Sequence, residues 1–299
     1  MRVLVTGGSG FIGRHVVRRL RARGDEVVVA DLVDFPDDGV EIVKGDLRDP
    51  EVVALAVRPD LDAVVHLAAL PSVLQSVQKP HETFLTNVAA TELLLEACRV
   101  EGVGRFVFAS TNAVVGNVGE QTIDERIALW PLTPYGATKA ACEMLLAAYS
   151  ASYGLVTVAL RFTNIYGAGM QTKDSVIARL MRAASSGGGI QIYGDGEQVR
   201  DYLYVTDAAR AIELALTLPK SDTITVGAAT SVSMNVLYEL ACQATGVAIG
   251  AEHIPGKPGE MPAVIVDTTH ANEVGFVCQY DVLEGLKATW ADFVARGVN

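Results

Sequence analysis

An excess of positive charge is what this 299-residue chain most plainly lacks. Its 24 lysines and arginines are outnumbered by 35 aspartates and glutamates, leaving a net charge of −11. Such a surface repels a nucleic-acid backbone and an anionic bilayer, so neither is an expected partner. No apolar run is long enough to span a membrane, and the chain opens on strand-like residues instead of a secretory leader, which together predict a cytoplasmic protein. Cysteine is scarce: Cys98, Cys142, Cys242 and Cys278 stand far apart, without a Cys-x-x-Cys pair. Three of them fall in apolar, helix-like stretches, so buried thiols are expected in place of disulfides or a metal site. Internal repeats and low-complexity tracts are also missing. What is abundant is apolar side chain, 50% of the residues, enough for one large core or two moderate ones.

The most informative segment lies at the start. The run Val3-Leu4-Val5 feeds three glycines spaced three apart, Gly7, Gly10 and Gly13, followed by an amphipathic stretch from Arg14 to Arg23 that closes on Gly24. A strand, a tight turn and a helix N-terminus in this order suit a dinucleotide diphosphate. A turn without β-carbons lets the backbone approach the phosphates, and free N–H groups with the helix dipole favour their charge. A second strand, Glu26 to Asp31, ends in a carboxylate 31 − 7 = 24 residues beyond the first glycine, where an adenosine ribose would be held. Asp31 would repel a 2′-phosphate, so NAD is expected over NADP; Arg14 and Arg18 read as a solvated helix face.

Strand-like segments at 2–6, 26–31, 40–44, 62–68, 105–110 and 156–162 show little alternation, as strands of a parallel sheet covered on both faces should. Helical patterns at 11–23, 50–57, 79–101 and 134–152 lie between them. The order predicts an α/β doubly wound parallel sheet of the Rossmann kind over residues 1–164, with a helix at 206–218 and a strand at 223–226 returning to it within 205–227. After Gly167 the rhythm changes, and residues 165–299 are expected to serve mainly in substrate binding. A helix at 174–186, a strand at 190–193, a polar turn at Gly194–Glu197 and helices near 233–245 and 281–296 read as a smaller, mixed α/β substrate-side domain.

A second constellation is Thr133-Pro134-Tyr135-Gly136-Ala137-Thr138-Lys139. Thr133 suits a helix cap and Pro134 the first helical position, so Tyr135 and Lys139, four apart, share one face near the N-terminus. A lysine ammonium together with a nicotinamide cation would stabilise a phenolate and bring the tyrosine toward working pH.

Taken in order, these segments resemble the extended short-chain dehydrogenase/reductases, of the nucleotide-sugar epimerase/dehydratase type and nearest to UDP-sugar 4-epimerases. The resemblance implies that Gly7, Gly10, Phe11, Ile12, Gly13, Asp31, Asp46, Leu47, Leu67, Ala68, Ala69, Asn87, Tyr135 and Lys139 contact or frame NAD. It implies a catalytic set of Thr111, Tyr135 and Lys139, and a nucleotide sugar held by Ser72, Thr111, Asn112, Tyr135, Asn164 and Arg200. It also implies a homodimer built on the helices at 79–101 and 134–152.

Departures from the family pattern narrow the reaction. Dehydratases of this kind follow the catalytic threonine with Asp-Glu, where this chain has Asn112 and Ala113. Alanine moves no proton, so the expected chemistry is oxidation of the C4 hydroxyl and return of hydride to the opposite face. Val115 replaces the usual tyrosine, and the stretch Pro258–Ala263 lacks the arginine that many relatives place there, leaving Arg200, with Lys257 as a candidate helper, to meet a diphosphate. His66 reads as a hydrogen-bonded structural residue, Tyr149 and Tyr153 as packing, and Trp130 as either a cover for the site or loop packing. Two other readings stay open: a 4-ketoreductase of deoxysugar nucleotides using NAD(P)H, and a dinucleotide sensor without catalysis.

Overall fold

A computed structural model describes residues 1–256 and 263–297; Lys257 and Pro258–Pro262 lie outside the described residues. The first strand, β1 (Arg2–Thr6), buries Val3, Leu4 and Val5 completely, as a central parallel strand must. It is followed by α1 (Phe11–Arg23), β2 (Glu26–Asp31), β3 (Glu41–Lys44), α2 (Pro50–Ala56) and β4 (Ala63–His66). Then come α3 (Val73–Gln78), α4 (Pro80–Phe84), a single π turn over Leu85–Ala89, α5 (Ala90–Glu101), β5 (Arg105–Thr111), α6 (Pro134–Tyr153) and β6 (Val156–Phe162). After these, β7 (Asn164–Tyr166), α7 (Val176–Ser186), β8 (Gly189–Tyr193) and β9 (Val199–Tyr204) lead directly into α8 (Val205–Ala215) and β10 (Asp222–Val226). The chain finishes with β11 (Ser231–Ser233), α9 (Met234–Thr245), β12 (Gly250–Ile254), α10 (Thr269–Glu273) and α11 (Val282–Ala295).

Seven parallel strands form one sheet in the order β10-β6-β5-β4-β1-β2-β3. Its two faces carry separate apolar cores. Val16, Val17 and Leu20 of α1 pack with Ala208, Ala211 and Ile212 of α8 on one side. Val53 and Ala56 of α2, Leu94 and Leu95 of α5, and Cys142 and Leu146 of α6 cover the other. The chain therefore leaves β1 toward one face and β4, its neighbour, toward the other. That divergence opens a crevice at the strands' carboxyl ends, where ligands of doubly wound sheets bind. A third core joins α7, α9 and α11 to a mixed three-stranded sheet, β11-β9-β7, and to the parallel pair β12-β8. The expected Rossmann-like sheet with a smaller mixed α/β unit is the fold observed.

Two expectations need correction. Residues 79–101 are not one regular helix: Pro80 starts α4, and the π turn inserts an extra residue before α5. The Asn87 carbonyl within that turn accepts from the Thr91 hydroxyl (2.5 Å) and the Cys142 thiol (3.1 Å), which side chains supply and periodicity does not reveal. Between the polar turn at Gly194–Glu197 and the helix expected at 206–218, where the sequence pattern offers no strand, Val199–Tyr204 forms β9; charged Arg200 and Asp201 mask a strand paired on both sides.

Candidate active site

The glycine turn is shaped by close approach. Gly7 adopts φ +66°, and a Cβ there would stand 2.7 Å from the Ala68 amide nitrogen, while one on Gly13 would overlap the Gly7 carbonyl oxygen. The helix α1 starts without a side-chain cap or an acidic residue in its first turn, leaving its N–H groups to a ligand. Around this turn lies a cleft of about 370 Å³. Gly7, Gly10, Phe11, Ile12, Gly13, Asp31, Asp46, Leu47, Leu67, Ala68 and Ala69 all line it. Asp31 sits at the tip of β2, accepting from the Ser9 amide at 2.9 Å. The Asp46 carboxylate is gripped by Arg48 at 2.5–3.0 Å, which holds it below its ordinary range. An uncapped helix start behind a glycine-rich turn, facing a carboxylate at the second strand's end, fits a dinucleotide whose 2′-hydroxyl is unsubstituted.

Asn87 is buried outside this cleft. Its side chain accepts from the Leu70 amide (2.8 Å) and donates to the Leu70 carbonyl (3.3 Å) and the Thr138 hydroxyl (3.1 Å). Thr138 in turn donates to the Tyr135 carbonyl at 2.8 Å, and the Tyr135 amide donates to Ser76 Oγ at 3.1 Å. The first turn of α6 is therefore fixed from α3 and the π turn, after a Thr133 cap with Pro134 at the first position.

Lys139 is 3% exposed, and its ammonium donates to the Ala109 carbonyl at 2.8 Å and lies 4.4 Å from the Phe108 ring centre. Burial lowers it to about 8 from the ordinary 10.5, with Cys142 and Glu143 opposing. Ala109 itself lines the cleft, and Thr111 ends the same strand. The Tyr135 phenol is pushed up to about 12 by burial, with a hydrogen bond to Thr111 working the other way. Within the protein alone desolvation dominates at this phenol; the expected lowering by the lysine together with a nicotinamide cation belongs to the cofactor-bound state. Thr111 also accepts from the Ala113 amide at 3.2 Å, capping a short 3₁₀ turn over Asn112–Val114.

Beneath Lys139, one turn along α6, Glu143 accepts from Ser110 Oγ (2.5 Å) and from Arg161 of β6 (2.7 Å), a pair with both side chains 6% exposed. Sequence reasoning missed this clasp. His66 is a core residue: Thr91 spends its proton on Asn87, so His66 Nε2–H donates to Thr91 (2.9 Å) and Nδ1 accepts from Thr6 (2.6 Å). Burial, followed by the charge of Lys139, depresses its pKa to about 3.

A second cavity, about 900 Å³, opens beside β7, α7, β8 and β9 and is lined by Asn164 and Arg200. Asn164 donates to the Asp201 carbonyl at 3.1 Å. Its walls add Arg179, Arg182, Tyr193 and Tyr202, none singled out by sequence. Ser72 does not line either cavity; it caps α3, accepting from Gln75 at 3.2 Å. Val115 is 2% exposed, packed with Val114, Ile123 and Ala140, so it points into a small core. Trp130 is 78% exposed, which removes loop packing as its role. Arg48, Leu70, Thr86, Ala109 and Lys173 also line the first cleft, Ala109 from β5, Thr86 from the π turn and the other three from loops.

A profile of the NAD dependent epimerase/dehydratase family matches residues 3–227. The chain belongs to that family. This enzyme is 36% identical to the UDP-glucose 4-epimerase of Thermus thermophilus, solved in complex with NAD, at a TM-score of 0.93 and with 100% of each chain covered. It is equally identical, 36%, to MoeE5 in complex with UDP-glucuronic acid and NAD, at a TM-score of 0.91 and covering 99% of this chain and 100% of that one. Among curated proteins it is 31% identical to a putative UDP-glucose 4-epimerase of Methanocaldococcus jannaschii, over 95% of this chain and 96% of the relative. The cofactor of the family is NAD, and its members work on nucleotide sugars.

Proposed function

We propose that this enzyme is a nucleotide-sugar 4-epimerase acting on a UDP-hexose or its uronate. The observation that carries the reading is Thr111 at the end of β5 grouped with Tyr135 and Lys139 of α6, the lysine bonded to Ala109 in the wall of the cleft that fits NAD, with Ala113 in place of a proton-moving residue. We assign cofactor binding to residues 1–164 and 205–227 and substrate binding mainly to the remainder of 165–299.

Gly7, Gly10 and Gly13 would seat the diphosphate, Asp31 the ribose, and Asp46 and Leu47 the adenine edge. When bound, NAD supplies a hydride acceptor, and later donor, at the sugar's C4. Tyr135 Oη takes the proton of the C4 hydroxyl and gives it back after the transient 4-keto sugar has turned over. Thr111 holds the reacting oxygen and the phenol together. Lys139, anchored on Ala109, places a positive charge behind the phenol and is itself near its titration point at about 8. Asn164 and Arg200 would meet the substrate diphosphate, with Ser72 and Asn112 at the sugar. Burial holding the phenol at about 12 means that proton removal depends on cationic charge arriving next to it.

The test uses purified protein, a UDP-sugar panel and no added coenzyme. Interconversion of C4 epimers is expected, and Tyr135→Phe should lower kcat by about 10²–10⁴-fold, the usual weight of a positioned acid–base, while leaving bound NAD in place. Stoichiometric consumption of NAD(P)H with a 4-keto sugar would instead assign a ketoreductase, and full activity in Tyr135→Phe would remove the phenol from the reaction.

A further inference from the structure

We propose that Lys173 is a cofactor-retaining cation, its ammonium closing over the diphosphate seat of the Gly7–Gly13 turn from the substrate side. The inference rests on NAD use by the family, not on which sugar is converted.

The two cationic side chains lining the cofactor cleft are Arg48 and Lys173. Arg48 is committed to Asp46. Near the turn, Arg14 donates through Nε to the Ser9 carbonyl (2.7 Å), and Arg18 is paired with Asp37 (2.6 Å). Lys173 makes no ion pair among the described residues. Its ammonium stands 5.7 Å from the centre of the Phe11 ring, on the first residue of α1, and desolvation alone pulls its pKa below the ordinary value. A dinucleotide diphosphate carries about two negative charges, and a helix start offers roughly half a positive one. A second source of positive charge is needed, and of the two cations lining the cleft Lys173 is the one that no carboxylate pairs among the described residues.

The segment that carries it is held in place. The Lys173 amide donates to the Met170 carbonyl (2.9 Å), and Arg182 of α7 donates to the Gln171 and Lys173 carbonyls (2.7 and 3.0 Å). The Gly169 amide donates to Asp292 of α11 at 2.7 Å, and His15 of α1 bonds the Ala168 carbonyl at 2.9 Å. Immediately beyond, Asp174 and Ser175 line the 900 Å³ cavity. The segment is thus one wall shared by the two cavities, with Lys173 on the cofactor side. Retention through both hydride steps is what an epimerase demands of its cofactor, and a latch built on the substrate-side wall provides it.

The test follows NAD itself. Holoenzyme is desalted and the NAD remaining on the protein is measured over time, then emptied protein is titrated with ADP and with adenosine by calorimetry. Lys173→Met should release NAD about 10- to 100-fold faster and weaken ADP by a similar factor, as loss of a charge-assisted phosphate contact does, with adenosine unchanged. Lys173→Arg should restore most of the loss. Release from the unaltered enzyme should also quicken as salt rises, a readout that needs no variant. Unchanged release from Lys173→Met, adenosine weakened as much as ADP, or salt-independent release overturns the proposal. Sugar turnover enters none of these readings, so a wrong substrate assignment leaves them intact.

Discussion

Single residues in this molecule are tuned mainly by removal of water. Tyr135, Lys139 and His66 all move against their charged forms: up to about 12, down to about 8 and down to about 3. For His66 the consequence is a stability effect with a defined sign. Its folded pKa lies below the ordinary 6.5, so below pH 6.5 the unfolded chain takes a proton that the folded chain refuses. Stability is whole above pH 6.5 and falls as the pH drops toward about 3, by about 1.4 kcal/mol per pH unit from this group. Denaturant midpoints taken from pH 7 to pH 4 should show that slope, and His66→Gln should flatten it even though its midpoint at pH 7 is lower.

At the scale of elements, the site depends on how α6 is bolted to the sheet. Ala109 and Ser110, consecutive on β5, each take one side chain from α6, Lys139 and Glu143, a turn apart, and Arg161 of β6 neutralises the second. Removing one partner of a buried pair strands the other charge. Glu143→Ala should therefore cost about 3–5 kcal/mol of unfolding free energy, whereas Glu143→Leu combined with Arg161→Met should cost clearly less. Equal losses in chemical denaturation would show that the pair carries no stranded-charge penalty. This clasp also marks the limit of what the sequence discloses. The seven parallel strands were legible because each is a short apolar run, and the glycine turn because close backbone approach forbids any other residue at Gly7 and Gly13. Glu143 and Arg161 look like ordinary polar positions, since only the third dimension brings residues 18 apart into one buried pair. The π turn escaped for a similar reason: side-chain hydrogen bonds from Thr91 and Cys142, not periodicity, sustain it. Lys173 sits in a polar loop whose closure over Phe11 no local pattern records.

For the molecule as a whole, the outer faces of α5 and α6 leave Val100, Met144 and Tyr153 62%, 63% and 58% exposed. Tyr149 bridges the two helices by donating to Glu96 at 3.3 Å. We infer that these helices meet their copies in a homodimer, as the family resemblance implies. Sedimentation at micromolar concentration should give twice the 31.7 kDa chain mass, and Met144→Glu should return the single-chain value with the fold intact by circular dichroism. A single-chain mass for the unaltered protein sinks the inference. One further consequence follows from the order of strands. The flank of β6 is covered by β10, which the chain supplies only after its excursion through β7, α7, β8, β9 and α8. During synthesis on the ribosome, the nascent sheet must therefore wait some sixty residues with an open, sticky border, from Phe162 to Asp222, before its last strand arrives to seal it.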